Sequence, residues 1–337
     1  MAEGFLAGTE SLRLTDGART EVVRLRDGTT GLEAVVAPDF GGEVASLRFF
    51  FEGEWVETLH RGLDFAPTRG WTGRAPVLFP QVGRCYAPSA RPPSPIPEEV
   101  DCSWEHEGKV YPMPCHGFAR DAVWELDGYG DDARSAWARC VLNSGPQTRK
   151  MYPFSFSLCV THSLREGSLV TRYDITAGEH QPPMPFTIGN HISFRAPVSG
   201  RGEYGDVTVW TPCAYEQVLD NDSLLTGERR DVDLGEGVAL SDERMSNIVL
   251  GGYEAGEAWA AVEDSEGVRI LVTQSQRPEL FSREAVLFVF WGEPRLRYFC
   301  PEPWLGAPDA LNGGRYLAHL PSGEAFSWEM SVTPSKC

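Results

Sequence analysis

The sequence has little lysine and no long hydrophobic run. Of its 30 basic residues only Lys109, Lys150 and Lys336 are lysines, and 48 acidic residues give a formal net charge of −18. Such a surface repels phosphate backbones and anionic lipid headgroups, so we expect neither nucleic acid nor a membrane as a partner. No apolar run approaches the roughly 20 residues that span a bilayer. The N-terminal residues lack the basic and apolar regions of a signal peptide, so we expect a cytoplasmic protein.

The sequence also lacks the cysteine spacing of metal clusters and small disulfide-rich domains. No two cysteines are separated by two residues, and the spacing is wide and irregular. Without a secretion signal this pattern favours free thiols over a disulfide framework, and it does not support a zinc cluster. The eight cysteines are Cys85, Cys102, Cys115, Cys140, Cys159, Cys213, Cys300 and Cys337.

Amphipathic helices of about 15 residues with capping residues are also missing. Short runs of β-branched and aromatic residues recur instead, bounded by turn signals at intervals of about 8 to 15 residues. In one of them Phe154, Phe156 and Leu158 alternate with serines, as in a strand with one buried face. The turn-rich stretch 219–228 is predicted to be a long loop. No linker divides the chain, so we predict an all-β protein: one large antiparallel β-sandwich domain over residues 1–337.

An apolar stretch at 186–194 contains Gly189, Asn190 and His191. On a strand, alternation would direct His191 towards one face among apolar neighbours. The glycine would allow another group to approach the backbone closely. Taken alone, His191 fits a hydrogen-bonded structural histidine of the core, so a functional role depends on its partners.

Four residues with suitable chemistry come from separate segments that each contain glycine or proline and a nearby aromatic residue: Arg84, His116, His191 and Glu302. A histidine facing a carboxylate forms an acid/base pair for proton transfer to and from oxygen. An arginine fork and aromatic walls suit a hydroxyl-rich ligand with an apolar face, such as a sugar. The same residues could instead ligate a metal ion, or they could be unrelated.

Four motifs, in this order, resemble the aldose 1-epimerase (mutarotase) family, and most of all its divergent galactose-mutarotase-like branch. They are Pro-Val-Leu-Phe-Pro-Gln-Val-Gly-Arg at 76–84, His-Gly-Phe-Ala-Arg-Asp at 116–121, Gly-Asn-His-Ile-Ser-Phe at 189–194 and Pro-Glu-Pro-Trp at 301–304. The stretch 224–228 is similar to a family loop that often reads Pro-Thr-Gly-Glu. The resemblance extends over about residues 32–332.

The resemblance implies a galactose-mutarotase-like β-supersandwich that binds a small-molecule sugar in an open cleft, as a monomer or homodimer, with no cofactor and no metal. Glu302 matches the general base that acts on the anomeric hydroxyl, and His191 matches the acid that protonates the ring oxygen. Arg84 and His116 match family residues that bind the sugar hydroxyls and the ring oxygen, and Asn190 and Trp304 are further expected sugar contacts. For the sugar-binding aspartate of galactose mutarotases the candidates are Asp220 and Asp222, by their proximity to the stretch 226–228, and we expect Asp220.

The chain departs from the family pattern after His191. Residues 191–194 read His-Ile-Ser-Phe, where family members often have His-Pro-Tyr-Phe or His-Pro-Ala-Phe. Three alternatives therefore accompany the mutarotase interpretation. A hexose-6-phosphate 1-epimerase would use Arg84, Arg120 or Arg74 to bind phosphate. A carbohydrate-binding or sensing protein would keep the fold without catalysis, and a lyase or hydrolase would need a further acid or tyrosine.

Overall fold

The computed structural model describes residues 4–62, 65, 73–254, 256, 258–275 and 279–336. These residues form 26 strands, one four-residue helix and six 3₁₀ turns, which confirms the all-β prediction. No helix in the described ranges is long and apolar enough to cross a membrane.

The first thirteen strands are β1 (Phe5–Arg13), β2 (Arg19–Asp27), β3 (Leu32–Ala37), β4 (Glu43–Phe51), β5 (Glu54–Glu57), β6 (Val77–Leu78), β7 (Ser103–His106), β8 (Lys109–Pro112), β9 (Glu125–Asp131), β10 (Ala136–Asn143), β11 (Phe156–Arg165), β12 (Ser168–Ala177) and β13 (Met184–Phe186). The others are β14 (Ile188–Asn190), β15 (Phe194–Arg195), β16 (Thr208–Thr211), β17 (Tyr215–Leu219), β18 (Leu225–Asp231), β19 (Leu234–Ala239), β20 (Asn247–Gly251), β21 (Trp259–Glu263), β22 (Val268–Gln274), β23 (Val286–Glu293), β24 (Tyr298–Leu305), β25 (Ala318–Leu320) and β26 (Ala325–Lys336). The helix is α1 (Ala310–Gly313), and the 3₁₀ turns are Pro88–Ala90, Ala119–Asp121, Thr148–Lys150, Tyr204–Asp206, Glu243–Ser246 and Arg283–Ala285.

Three antiparallel sheets carry most of these strands. The N-terminal sheet has the order β1-β2-β3-β4-β5, and the long sheet has the order β19-β16-β21-β22-β26-β12-β11-β10-β9. The third, which we call the site sheet, has the order β18-β17-β20-β23-β24-β14-β6, with β15 also paired to β24. These packed antiparallel sheets confirm the large antiparallel β-sandwich predicted from the sequence.

The central strands β23 and β24 of the site sheet are buried on both faces. Along β23, Phe288 and Phe290 pack into the main core of the sandwich. Leu287 and Val289, which alternate with them, belong to a smaller apolar cluster on the opposite face. Trp304 belongs to this smaller cluster too, so a site on the same face as Leu287 and Val289 lies outside the main core. Alternation along a strand therefore decides whether a residue supports the fold or reaches the site.

The prediction of a long loop at 219–228 is wrong. Strand β17 ends at Leu219 and β18 begins at Leu225, so only a short turn joins them. Strand β18 reads Leu-Thr-Gly-Glu-Arg-Arg-Asp and is almost entirely exposed at the sheet edge. An edge strand without a buried face has no hydrophobic alternation, so the period-two signal was absent.

Candidate active site

On the side away from β23, the segment that pairs with β24 is interrupted at one point. Strands β14 and β15 both pair with β24, and residues 191–193 between them belong to neither. The register is the same on both sides of this gap, so it places His191 opposite Glu302. The register-defining pairs are Gly189 with Trp304 and Phe194 with Phe299.

The Pro-Glu-Pro motif explains the gap. Pro301 and Pro303 have no N–H group, so β24 has fewer donors for its neighbour on either side of Glu302. The segment with His191 turns to the other side instead, and the His191 N–H donates to the carbonyl of Pro76 over 3.1 Å. The motif thus frees the backbone around His191 while it holds Glu302 within a regular strand.

His191 and Glu302 form the centre of the site. The distance from His191 Nε2 to Glu302 Oε1 is 3.3 Å, and the two side chains are 5% and 2% exposed. Burial raises the pKa of Glu302 well above its usual value. Burial, followed by the positive charge of Arg120, lowers the pKa of His191 to about 3. Both shifts favour a pair with no net charge, which holds one proton between the carboxyl group and Nε2.

His116 lies beside this pair in a fixed tautomer. Its Nδ1 accepts the N–H of Gly83 over 3.1 Å, which leaves the proton of a neutral imidazole on Nε2. Desolvation, followed by the charge on His191, lowers the pKa of His116 well below its usual value. The two histidine rings lie 5.2 Å apart, centre to centre, at 76°. His116 is therefore a neutral N–H donor next to the acid/base pair.

A strained turn places His116. Its backbone φ is +67°, and that of Gly117 is +76°. A side chain at Gly117 would begin 2.1 Å from the carbonyl oxygen of Phe79. Only glycine fits there, because positive φ and the close approach of Phe79 both exclude a Cβ atom.

Trp304 hydrogen-bonds to the carboxyl group of Glu302 and is almost fully buried. Its Nε1–H donates to Glu302 Oε2 over 3.2 Å, and the residue is 4% exposed. A Cβ atom at Gly189 would lie 2.8 Å from the indole. The close approach predicted at Gly189 is therefore made by Trp304. The indole is covered by protein, so the structure does not present it as the open sugar platform that the sequence suggested.

Asn190 points away from the site. Its Nδ2 donates to the carbonyl of Ala75 and to the hydroxyl of Tyr173, each over 3.0 Å, and the residue is 2% exposed. Tyr173 belongs to the long sheet, so Asn190 ties the two sheets together inside the sandwich. Adjacent residues of a strand face opposite sides, so Asn190 and His191 do not share a face. The geometry gives no support to the sugar contact predicted for Asn190.

Two arginines lie near the site histidines. The Arg84 side chain is 24% exposed and lies 3.4 Å from the Tyr86 hydroxyl and 3.9 Å from Glu98 Oε1. The Arg120 side chain is 12% exposed and lies 3.5 Å from Asp121 Oδ2. Its positive charge contributes to the lowered pKa of both site histidines.

Two other predicted residues have structural contacts. Asp220 Oδ1 accepts the N–H groups of Asp222 and Leu224 over 2.8 and 3.0 Å, which closes the turn between β17 and β18. Arg74 forms an ion pair with the buried carboxylate of Glu43. Their functional groups are thus already engaged in holding the backbone and a buried charge.

Trp291 is not among the predicted site residues, yet its ring lies 5.6 Å from that of His191 at 86°. It falls in an apolar run at 285–291 that by itself predicts only an ordinary strand. Its position two residues after Val289, which pairs with Glu302, would have revealed the contact once the register was known. Across the described ranges, no three His, Cys, Asp or Glu side chains are arranged to hold a metal ion.

Known proteins resemble this chain in family and in fold. A family model described as aldose 1-epimerase matches residues 21–281. The plasmid-encoded protein LacX of Lactococcus lactis subsp. lactis is 25% identical over 175 residues. That alignment covers 50% of this chain and 50% of LacX, so the chain matches about half the length of this relative.

Solved structures extend the likeness to nearly the whole chain. The protein Slr1438 from Synechocystis sp. PCC 6803 is 25% identical with a TM-score of 0.73, over 95% of this chain and 97% of its own. A galactose mutarotase-like protein from Clostridium acetobutylicum is 19% identical with a TM-score of 0.76, over 98% and 99%. Galactose 1-epimerase from Lactobacillus acidophilus NCFM is 13% identical with a TM-score of 0.72, over 99% of each chain. At these lower identities the likeness shows the fold alone.

Proposed function

Because this chain belongs to the aldose 1-epimerase family, we propose that it interconverts the α and β anomers of a free aldose by opening and reclosing the sugar ring. The contact between His191 Nε2 and Glu302 Oε1 carries this proposal. The anomeric hydroxyl and the ring oxygen are bonded to the same carbon, so they lie close together. An acid and a base only 3.3 Å apart can address both oxygens at once.

The proton transfers balance. Glu302 Oε1 takes the proton of the anomeric hydroxyl, whose electrons form the carbonyl bond at C1. The bond from C1 to the ring oxygen breaks, and the ring oxygen takes a proton from His191 Nε2. After rotation about C1–C2, the freed hydroxyl attacks the other face of the carbonyl and gives its proton to His191. Glu302 returns its proton to the carbonyl oxygen, which becomes the new anomeric hydroxyl.

The His191–Glu302 pair carries the number of protons that this cycle needs. A carboxylate with an imidazolium contains as many protons as a carboxylic acid with a neutral imidazole, so the two states interconvert by one short transfer. Burial disfavours the forms of the pair that carry net charge, which keeps one shared proton available. The sugar replaces the direct contact between the two groups.

The neighbouring donors fit the sugar oxygens. His116 offers a neutral Nε2–H, and Arg84 offers a guanidinium group that is partly exposed. A donor that stays neutral can bind a sugar oxygen without competing for the shared proton. We assign both residues to sugar binding on this basis.

A phosphorylated aldose is the second candidate. Arg84 and Arg120 bring two positive charges towards the site of a chain with a net charge of −18. Guanidinium groups suit phosphate oxygens. Arg74 is already paired with Glu43, so the first two arginines are the cations that a phosphate would meet.

The deciding experiment measures anomer interconversion directly. Freshly dissolved α-D-glucose, α-D-galactose and the corresponding 6-phosphates are followed by polarimetry or NMR with and without the protein. Acceleration of a free sugar supports the proposal, and acceleration of the phosphates alone favours the second candidate. Binding of a sugar, detected by calorimetry, without acceleration of any of them would establish a carbohydrate-binding protein instead.

A further inference from the structure

The two oxygens of Glu302 have different partners. Oε1 faces His191 Nε2 at 3.3 Å, and Oε2 accepts the indole N–H of Trp304 at 3.2 Å. The chemistry of ring opening needs only one carboxylate oxygen. The second oxygen accepts the Trp304 hydrogen bond, so the two oxygens of the carboxyl group have different surroundings.

The position of Trp304 follows from the strand. Residues two apart on β24 point to the same face, so Glu302 and Trp304 lie side by side. The indole fits there because its partner in the register, Gly189, has no side chain. The ring of His116 meets the indole at 5.7 Å and 74°. Three contacts therefore fix the direction of one N–H group.

We propose that Trp304 is a positioning residue for the general base: its indole N–H holds Glu302 Oε2, so that Oε1 alone faces His191 and the anomeric hydroxyl. This inference rests on the function proposed above. Gly189 is part of the same device, because a methyl group there would displace the indole. The sequence motif Pro-Glu-Pro-Trp thus contains both the base and the group that orients it.

The hydrogen bond has a second effect. A donor to the carboxylate favours its charged form, and the contact with Trp304 lowers the pKa of Glu302 against the larger effect of burial. Removal of the N–H is expected to let the carboxyl group rotate and to raise this pKa further. A tryptophan that only provided an apolar surface for the sugar would produce neither effect.

The test replaces Trp304 by phenylalanine, which keeps an aromatic ring and removes the N–H. Trp304→Phe is expected to lower kcat about tenfold with little change in KM. A sugar platform would instead show a higher KM with kcat retained, which would overturn the proposal. Trp104→Phe is the matched control, because that buried indole donates to the Met151 carbonyl over 2.8 Å outside the site. Circular dichroism and thermal melting establish that each variant is folded.

A measurement that does not depend on activity separates this inference from the proposed function. The ¹³C signal of the Glu302 carboxyl group, assigned by its loss in Glu302→Gln, is titrated in wild type and in Trp304→Phe. A higher pKa in the variant supports positioning by Trp304 even if no tested sugar is epimerised, and an unchanged pKa overturns it. Gly189→Ala keeps the tryptophan but moves it, so it is expected to have the same effect on the titration, and it takes the place of Trp304→Phe if that variant does not fold.

Discussion

Replacement of Glu302 by glutamine is expected to remove most of the catalysed anomer interconversion without unfolding the protein. Glutamine has nearly the same size, and its amide oxygen can still accept the Trp304 N–H, which lies 3.2 Å from Oε2 in the structure. The amide cannot take a proton from the anomeric hydroxyl. General-base catalysis contributes about 10²- to 10⁴-fold, which corresponds to about 3 to 5 kcal/mol in the barrier.

Stability is expected to stay the same or to rise near neutral pH. Burial raises the pKa of Glu302, so the folded state disfavours the charged carboxylate relative to the unfolded chain. A neutral amide has no such penalty. The loss of activity in Glu302→Gln would therefore not be accompanied by a lower melting temperature.

The assay follows the optical rotation of a fresh α-sugar and subtracts the uncatalysed rate. Glu33→Gln is the matched control, because Glu33 is 3% exposed and pairs with Arg24 and Arg48 on the N-terminal sheet. That control is expected to lose stability, since Arg24, Arg26 and Arg48 each lose an ion-pair contact with Glu33, and to retain kcat/KM. A Glu302→Gln rate within threefold of wild type, or an equal loss of activity in the control, would contradict the assignment of Glu302 as the base.

Three further predictions concern the pH dependence of the acid/base pair, a buried histidine of the core and two glycines with positive φ. Because the His191–Glu302 pair favours its neutral state, kcat/KM is expected to be constant from about pH 5 to pH 7, and a steep fall across that range would contradict the shared proton. Burial lowers the pKa of His162 to about 4, so its stabilising effect is complete above the unfolded pKa of about 6.5 and is lost as the pH falls towards 4. At pH 5 this amounts to about 2 kcal/mol, so the stability difference between wild type and His162→Gln in urea unfolding should shrink by that amount between pH 7.5 and pH 5. Gly117→Ala should lower both stability and activity, whereas Gly108→Ala, which has a similar φ of +72° and open space around it, should cost only about 1 to 2 kcal/mol in the same unfolding assay.

The strands with one buried face were predictable because burial leaves a period of two. Strand β11 alternates buried and half-buried residues throughout, as the Phe156-Ser157-Leu158 pattern indicated. Strand β3 (Leu32–Ala37) is buried along its whole length, so its apolar run between turn signals predicts a strand without alternation. Edge strands were harder, since β18 is exposed and polar and therefore has no such pattern.

The site residues were predictable as a set of chemical groups and not as an arrangement. The order of the motifs predicted that Arg84, His116, His191 and Glu302 belong to one site. In the structure His191 lies 3.3 Å from Glu302, and the ring of His116 lies 5.2 Å from that of His191. Asn190 was grouped with them because it adjoins His191 in the chain. Its amide instead binds Tyr173 in the core, since neighbours on a strand face opposite ways.

The sequence by itself determined the class of fold, the acidic surface and the chemistry available at the Pro-Glu-Pro-Trp and Gly-Asn-His motifs. These properties depend on local patterns and residue types, which a single chain displays directly. The folded chain determines which oxygen of Glu302 meets His191, that a side chain at Gly189 would clash with the indole, and that Trp304 donates to the Glu302 carboxyl group. Those facts depend on the register between β14 and β24, which pairs residues more than 100 positions apart and leaves no periodic trace in the sequence.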